Sequence, residues 1–210
     1  MKKRVVAFID GFNLYHSVNE LGPDLAYLKW LDIRSLATAI IHPQNDSLDR
    51  VEYFTSKAHW NVHEKRIRHD KYIAALESTG VVANVGVFKK VKRKCSKCLK
   101  QYTAYEENGT DVAIASKMAS YAAANLFDKA LLFSADSDLV PVVRIILQDH
   151  EDKEVHIVTT TSRIRNAKEL RSVSSGYISI DQSNFEKNLL PRRVFVNGST
   201  IDMPLEYEHP

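Results

Sequence analysis

The chain has 210 residues, of which 44% are hydrophobic and 26% charged, with a formal net charge of +3 at pH 7. That balance is ordinary for a soluble globular protein and excludes a disordered, coiled-coil or collagen-like chain. The apolar runs fall far short of the ~20 residues of a membrane span, and the length suits one embellished domain rather than two.

After the basic start MKKR, the apolar run Val5–Ile9 is cut by Asp10. It is shorter than the roughly 7–15 residues of a secretory core, so Arg4–Ile9 reads as a buried strand. Leu31, Ile33, Leu36, Ala39 and Ile40 then place an apolar stripe on a helix that Trp30 begins. Val51–Thr55 reads as the second strand. His63–Ser78 reads as a helix burying Ile67, Tyr72, Ile73 and Leu76, with Gly80 just past its end.

A third strand, Val82–Val91, runs into the segment KKVKRKCSKCLK, and the Ala-rich Asp111–Asn125 reads as a helix with Thr110 as its cap. Lys129–Ser134 is a fourth strand, Leu139–Leu147 a helix with Pro141 in its first turn, and Glu154–Val158 a fifth strand. The tail after Leu190 holds one more strand-like run and a turn at Asn197-Gly198. Strands alternating with helices form βαβ units and a mainly parallel sheet. The continuous apolar first and fourth strands expect helices on both faces.

Charge is unevenly spread. Residues 89–100 hold seven basic side chains (Lys89, Lys90, Lys92, Arg93, Lys94, Lys97 and Lys100) and no acid. Removing those seven from 29 basic residues leaves 22 against 26 acidic ones, so the positive charge is concentrated where an anionic partner would meet it. The only two cysteines, Cys95 and Cys98, lie in the same segment; they make no disulfide framework, and the expected compartment is the cytoplasm.

The acids follow the strands. Asp10 ends the first strand, and Asp136 and Asp138, in the run SADSD, follow the fourth. In open parallel sheets ligands gather at the carboxyl ends of strands, so three carboxylates are expected at one edge. Asp111 opens the Ala-rich helix, where the helix dipole alone explains a carboxylate. A helix cap likewise explains one acid of SADSD, but not the whole group. Clustered carboxylates repel and would titrate high unless a cation neutralised them, and a hard oxygen-seeking ion, Mg²⁺ or Mn²⁺, is the economical choice. Such an ion with open positions activates water against a phosphodiester, and the basic segment supplies phosphate contacts. The pattern points to a metal-dependent nuclease. No GxxxxGK[ST], GxGxxG or GxSxG motif is present, and Phe12 stands where an aspartyl-phosphate phosphatase carries its second acid.

The stretches IDGFNLYH (9–16), RVEYFTSK (50–57), YEENGTDVAIA (105–115) and KALLFSADSDLVPVVR (129–144), with the closing strand EVHIV, resemble the ordered motifs of NYN domains, the LabA-like branch of the PIN-like nucleases. The resemblance runs from about residue 4 to 180. It implies a Rossmann-like three-layer α/β/α sandwich over residues 1–185, with a basic CxxC hairpin insertion at about 89–104 and a C-terminal appendage at 186–210. It implies endoribonuclease activity with Mg²⁺ or Mn²⁺, RNA as partner and no membrane. Carried over by motif, Asp10, Asp111, Asp136 and Asp138 match the metal-site acids. Asn13 matches the amide that positions the first acid or a bound water; Ser134 and Ser137 flank the acidic loop, and Glu106 and Glu107 precede Asp111. Lys89–Lys100 would grip RNA backbone. The alternative is a non-catalytic RNA- or protein-binding regulator that retains an acidic metal-binding pocket; a phosphatase of small nucleotides would leave the basic arm without a role.

Cys95-Ser96-Lys97-Cys98 has the spacing of a zinc knuckle, but tetrahedral zinc needs four ligands. His59 and His63, or a second subunit in a homodimer, would have to complete it; reduced thiols at a hairpin tip are the simpler reading. HEKRIRHDK (63–71) reads as a solvated helix face that adds phosphate contacts at most, and Tyr102 and Tyr105 as packing or base-stacking rings.

Overall fold

The computed structural model describes residues 1–57, 63–107, 109–196 and 198–208, with only the backbone for residues 57, 87–90 and 104–107. In chain order the elements are β1 (Lys3–Asp10), α1 (Gly11–Asn19), α2 (Ile33–Ala39), β2 (Asp46–Lys57), α3 (His63–Ser78), β3 (Val82–Lys94) and β4 (Gln101–Glu107). They continue with α4 (Thr110–Ala123), β5 (Lys129–Phe133), α5 (Val140–Asp149), β6 (Glu154–Thr160), α6 (Lys168–Val173), β7 (Gly176–Ile180) and α7 (Gln182–Glu186). A two-stranded ribbon, β8 (Arg193–Val196) with β9 (Ser199–Asp202), follows.

The main sheet has the order β4-β3-β2-β1-β5-β6-β7. Every pairing from β3 to β7 is parallel, and β4 alone is antiparallel, on β3. Successive strands move outward from β1 in one direction and then from β5 in the other, so the order reverses between β1 and β5. That reversal opens a crevice beyond the carboxyl ends of those two strands.

The alternation of β1 splits the core. Val5, Ala7 and Ile9 face one layer with Leu14 of α1, Leu36 of α2 and Leu76 of α3, whereas Val6 and Phe8 face the other with Ile114 and Met118 of α4, Val143 of α5 and Leu170 of α6. Both faces of the central strands are covered, and the fold is the α/β/α sandwich that the apolar runs require.

Where local reading and structure differ, the reasons are physical. Thr110 does not cap α4: the N-cap is Gly109, in left-handed backbone at φ 81°, and Thr110 is the buried first residue of the helix. Trp30 begins no helix but ends a 3-10 turn over Pro23–Lys29; its indole is buried and donates to the Pro191 carbonyl. Leu190 and Val194 join the first core layer from the tail. Among the described residues no helix is long and apolar enough to cross a membrane.

Candidate active site at the strand ends

Asp10 is the last residue of β1 and the N-cap of α1, with extended backbone at φ −72° and ψ 104°. Its Oδ1 accepts the backbone N–H of Phe12 (3.1 Å) and of Asn13 (3.0 Å), as a helix cap does. Its Oδ2 accepts from Asn13 Nδ2 (2.6 Å) and Ser134 Oγ (3.1 Å). The residue is only 3% exposed, and among the described residues no lysine or arginine forms an ion pair with it. Burial pushes its carboxyl above the ordinary aspartate range, against the pull of hydrogen bonds from Asn13, Ser134 and Phe12.

Helix α1 can start this close to the sheet only because Gly11 has no Cβ, which would stand 2.7 Å from both the Phe54 carbonyl oxygen and the Tyr53 hydroxyl of β2.

The second carboxylate arrives through β5. Ile9 pairs with Phe133, so the next residues along the two strands, Asp10 and Ser134, meet across the crevice. Ser134 donates to Asp10 and accepts the backbone N–H of Asp136 at 3.1 Å; Asp136 Oδ1 in turn accepts the N–H of Asp138 at 2.9 Å and caps the 3-10 turn Ser137–Leu139. Asp10, Ser134, Asp136 and Asp138 thus form one hydrogen-bonded series across the switch point. Asp138 and Ser137 are exposed, and the carbonyl of Ser137 accepts from the N–H of Val140.

Asp111 stands in the first turn of α4. Thr110 Oγ1 lies 3.4 Å from Ser56 Oγ, and Phe54 is the register partner of Asp10, so α4 starts two residues beyond the level of Asp10 on the neighbouring strand. The helix also packs against the Ser137–Leu139 turn. All four acidic positions therefore lie at one edge. Their side chains do not form a ready-made cage: among the described residues no three acidic, histidine or cysteine groups stand close enough to ligate one ion.

Arg163, just past β6, is a participant that the sequence motifs do not mark. Its Nη1 donates to the Asn13 carbonyl (3.0 Å) and to Asn13 Oδ1 (3.2 Å), and its Nε, which has no hydrogen bond, lies 3.5 Å from a carboxylate oxygen of Glu20. With Ala135 N–H also directed at Asn13 Oδ1 (3.4 Å), Asn13 has one sensible amide orientation, with Nδ2 on Asp10. The hint in the sequence is a basic residue three positions past a buried parallel strand.

The basic segment is an arm. β3 runs parallel to β1 and passes its last pairing with β2, at Val87, by seven residues, Phe88–Lys94, that pair only with β4. At about 3.3 Å per residue the arm extends roughly 20 Å from the edge that carries Asp10. Lys92, Arg93, Lys94, Lys97 and Lys100 are exposed, as is Tyr102. The side chains of Lys89, Lys90, Tyr105, Glu106 and Glu107, and all of His59 and Trp60, lie outside the described residues.

At the tip, Cys95 N–H donates to the Lys100 carbonyl and Leu99 N–H to that of Cys95, both at 2.9 Å. The backbone N–H groups of Cys98 and Lys97, and the Cys98 thiol, hold the Cys95 thiol below its usual range. Both cysteines are free thiols, and among the described residues no group of three ligands forms around them. His63 is exposed on α3.

No match was found among curated proteins. A solved protein of unknown function from Vibrio parahaemolyticus is similar in fold, with a TM-score of 0.53 at 18% identity, over 90% of this chain and 97% of that one. The NYN domain model matches residues 4–181, from the start of β1 through the whole parallel sheet to the cap of α7. The chain belongs to the NYN domain family, a branch of the PIN-like nucleases.

Proposed function

We propose that the chain is a cytoplasmic endoribonuclease that uses Mg²⁺ or Mn²⁺, with residues 1–185 as its catalytic unit and Lys89–Lys100 as an RNA-gripping arm. One observation carries this reading: a buried carboxylate, Asp10, without an ion-pair partner among the described residues, joined through Ser134 to the backbone N–H of a second acidic residue, Asp136, across the switch point.

The donor set suits a hard cation, because carboxylate oxygens are what such ions take. Mg²⁺ usually keeps several waters and is held by one or two carboxylates plus substrate phosphate. A site in which three acids do not converge therefore fits a hydrated ion better than an all-protein cage. Asp10 and Asp136 would hold the ion, with Asp138 and Asp111 at its outer side. When bound, it would neutralise phosphate charge and activate water for in-line attack.

The chain's own residues do the rest. Asn13 and Ser134 fix the Asp10 carboxylate in one orientation. Arg163 fixes Asn13. The amides at the start of α1 and of the Ser137–Leu139 turn hold the Asp10 and Asp136 carboxylates in place by hydrogen bonds.

A second reading, a regulator that binds nucleic acid without cutting it, is favoured by one finding: four protein donors already occupy the roughly four lone-pair sites of Asp10. Single-stranded RNA incubated with Mn²⁺ separates the two. The nuclease reading expects cleavage by wild type and none by Asp136→Asn or in EDTA; equal cleavage by wild type and variant contradicts it.

A further inference from the structure

Beside α1 lies a cavity of about 200 Å³, bounded by α1, the Pro23–Lys29 turn, the carboxyl end of β2, α3 and the C-terminal 3-10 turn Leu205–Tyr207. It is smaller than the roughly 300–1,000 Å³ of a typical small-molecule site, so it suits a single ring system. Gly11 and Phe12, the two residues after Asp10, line it, so it lies beside the edge that carries the carboxylates.

The walls are aromatic. Tyr53 and Tyr72 meet edge to face, with ring centroids 6.2 Å apart, and Tyr72 is anchored by its hydroxyl donating to the Leu31 carbonyl. Phe12 and Tyr15 leave 48% and 47% of their surface exposed. Core packing does not account for two half-exposed rings beside a buried carboxylate. Cations stand among the rings: Lys29 Nζ lies 4.9 Å from the centre of the Tyr15 ring, and Lys65 lines the cavity from α3, as does Arg68, whose guanidinium is paired with Glu206. Thr55 Oγ1 and His69 Nε2, hydrogen-bonded to each other at 3.1 Å, add a polar stretch to the lining.

Flat hydrophobic walls, a cationic rim and a ring-sized volume, one or two residues from the acidic centre, match one chemistry. We infer that this cavity is the subsite for an unstacked nucleobase of single-stranded RNA, adjacent to the phosphate held at Asp10 and Asp136. The inference rests on the nuclease reading and adds to it a place where one base of the substrate binds. A base inside a duplex is stacked on both faces and cannot enter; a single strand can turn one base in, and each base stacked on an aromatic side chain adds affinity that every base type can supply.

Equilibrium binding in EDTA, where nothing is cut, tests the subsite. The probe is a short fluorescent single-stranded oligoribonucleotide and a set of copies, each with one abasic position, measured by anisotropy on the full chain. Wild type should lose roughly 5- to 100-fold in affinity for one or two adjacent abasic positions and little elsewhere. Tyr15→Ala should bind the intact strand weaker by a similar factor and should no longer discriminate the abasic copies, while Tyr15→Phe keeps wild-type behaviour. Tyr15 is half exposed, so its truncation leaves the core intact, and an unchanged far-UV circular dichroism spectrum verifies this.

Abasic copies that all bind like the intact strand, a Tyr15→Ala variant that still discriminates them, or a free mononucleotide that binds as tightly as the strand would each overturn the subsite. The two readings fail separately: cleavage without position-dependent binding removes the subsite and leaves the nuclease, whereas position-dependent binding without cleavage in Mn²⁺ does the reverse.

Discussion

Asp10 serves two masters with one carboxylate: Oδ1 caps α1 and Oδ2 faces the crevice, held by Asn13 and Ser134. Orientation of the Asn13 amide depends on Arg163, which is bonded to its Oδ1. Arg163→Ala should therefore lower the cleavage rate about 10- to 100-fold, the usual cost of losing a group that orients a ligand, with little change in KM. A variant that changes KM alone would place Arg163 in substrate binding instead. Away from the site, Asp128 accepts from the backbone N–H and guanidinium of Arg4, which hold its carboxyl down to about 2 from an ordinary 3.8. A depressed pKa stabilises the fold above the unfolded value and ceases to do so as pH falls toward the folded one. The pair is partly solvent-exposed, so Asp128→Asn should cost only about 1 kcal/mol near neutral pH. Urea titrations should show that gap closing between pH 4 and pH 2; a gap that is constant with pH would contradict the ion-pair account.

Several elements were legible because their burial is uniform. β1 and β5 are apolar on consecutive residues, and both prove to be covered on both faces. The α3 bounds match the expected His63–Ser78, but its expected apolar stripe does not hold throughout: Ile67 is exposed, and burial is confined to the second half of the helix. α1 was not legible: GFNLYHSVN has Gly at its first helical position and only Leu14 and Val18 as large buried residues. β7, at the sheet edge, alternates between half-buried and exposed positions and lacks a continuous apolar run. The close approach of α1 and β2 predicts that Gly11→Ala costs about 1–3 kcal/mol by overpacking, and that cleavage falls because the cap moves with its carboxylate. A variant as stable and active as wild type would show that the helix can shift freely. Between elements, Lys129 of β5 donates to both oxygens of Asp46 at the start of β2 (2.9 and 2.8 Å). Burial opposes ionisation of Asp46, and the lysine together with the His42 N–H wins, so its carboxyl titrates low. Lys129→Met strands a buried charge and should cost about 3 kcal/mol in chemical denaturation; a loss under about half of that would mean that water reaches Asp46.

At the scale of the whole molecule, the edge that gathers the acids also launches the basic arm, which is what the proposed function requires of a surface that meets one polyanion. The four acidic positions were readable because each sits next to a strong strand or helix signal, and parallel topology brings strand ends together. The aromatic cavity was not, since Tyr15, Tyr53, Tyr72 and Tyr207 come from four distant segments. Replacing Lys92, Arg93 and Lys94 with alanine should weaken RNA binding and flatten its dependence on log salt by up to about 2, at roughly 0.7 per phosphate contact in a single strand. An unchanged slope would remove the arm from the RNA interface. The claim on which the account depends is that Asp10 and Asp136, far apart in sequence, serve one cation. Titrating Mn²⁺ into the full chain, with free ion followed by electron paramagnetic resonance, measures this directly. Asparagine caps a helix as well as aspartate, so Asp10→Asn keeps α1 in place. The account predicts saturable binding by wild type that both Asp10→Asn and Asp136→Asn abolish; binding that survives either substitution unchanged would contradict it.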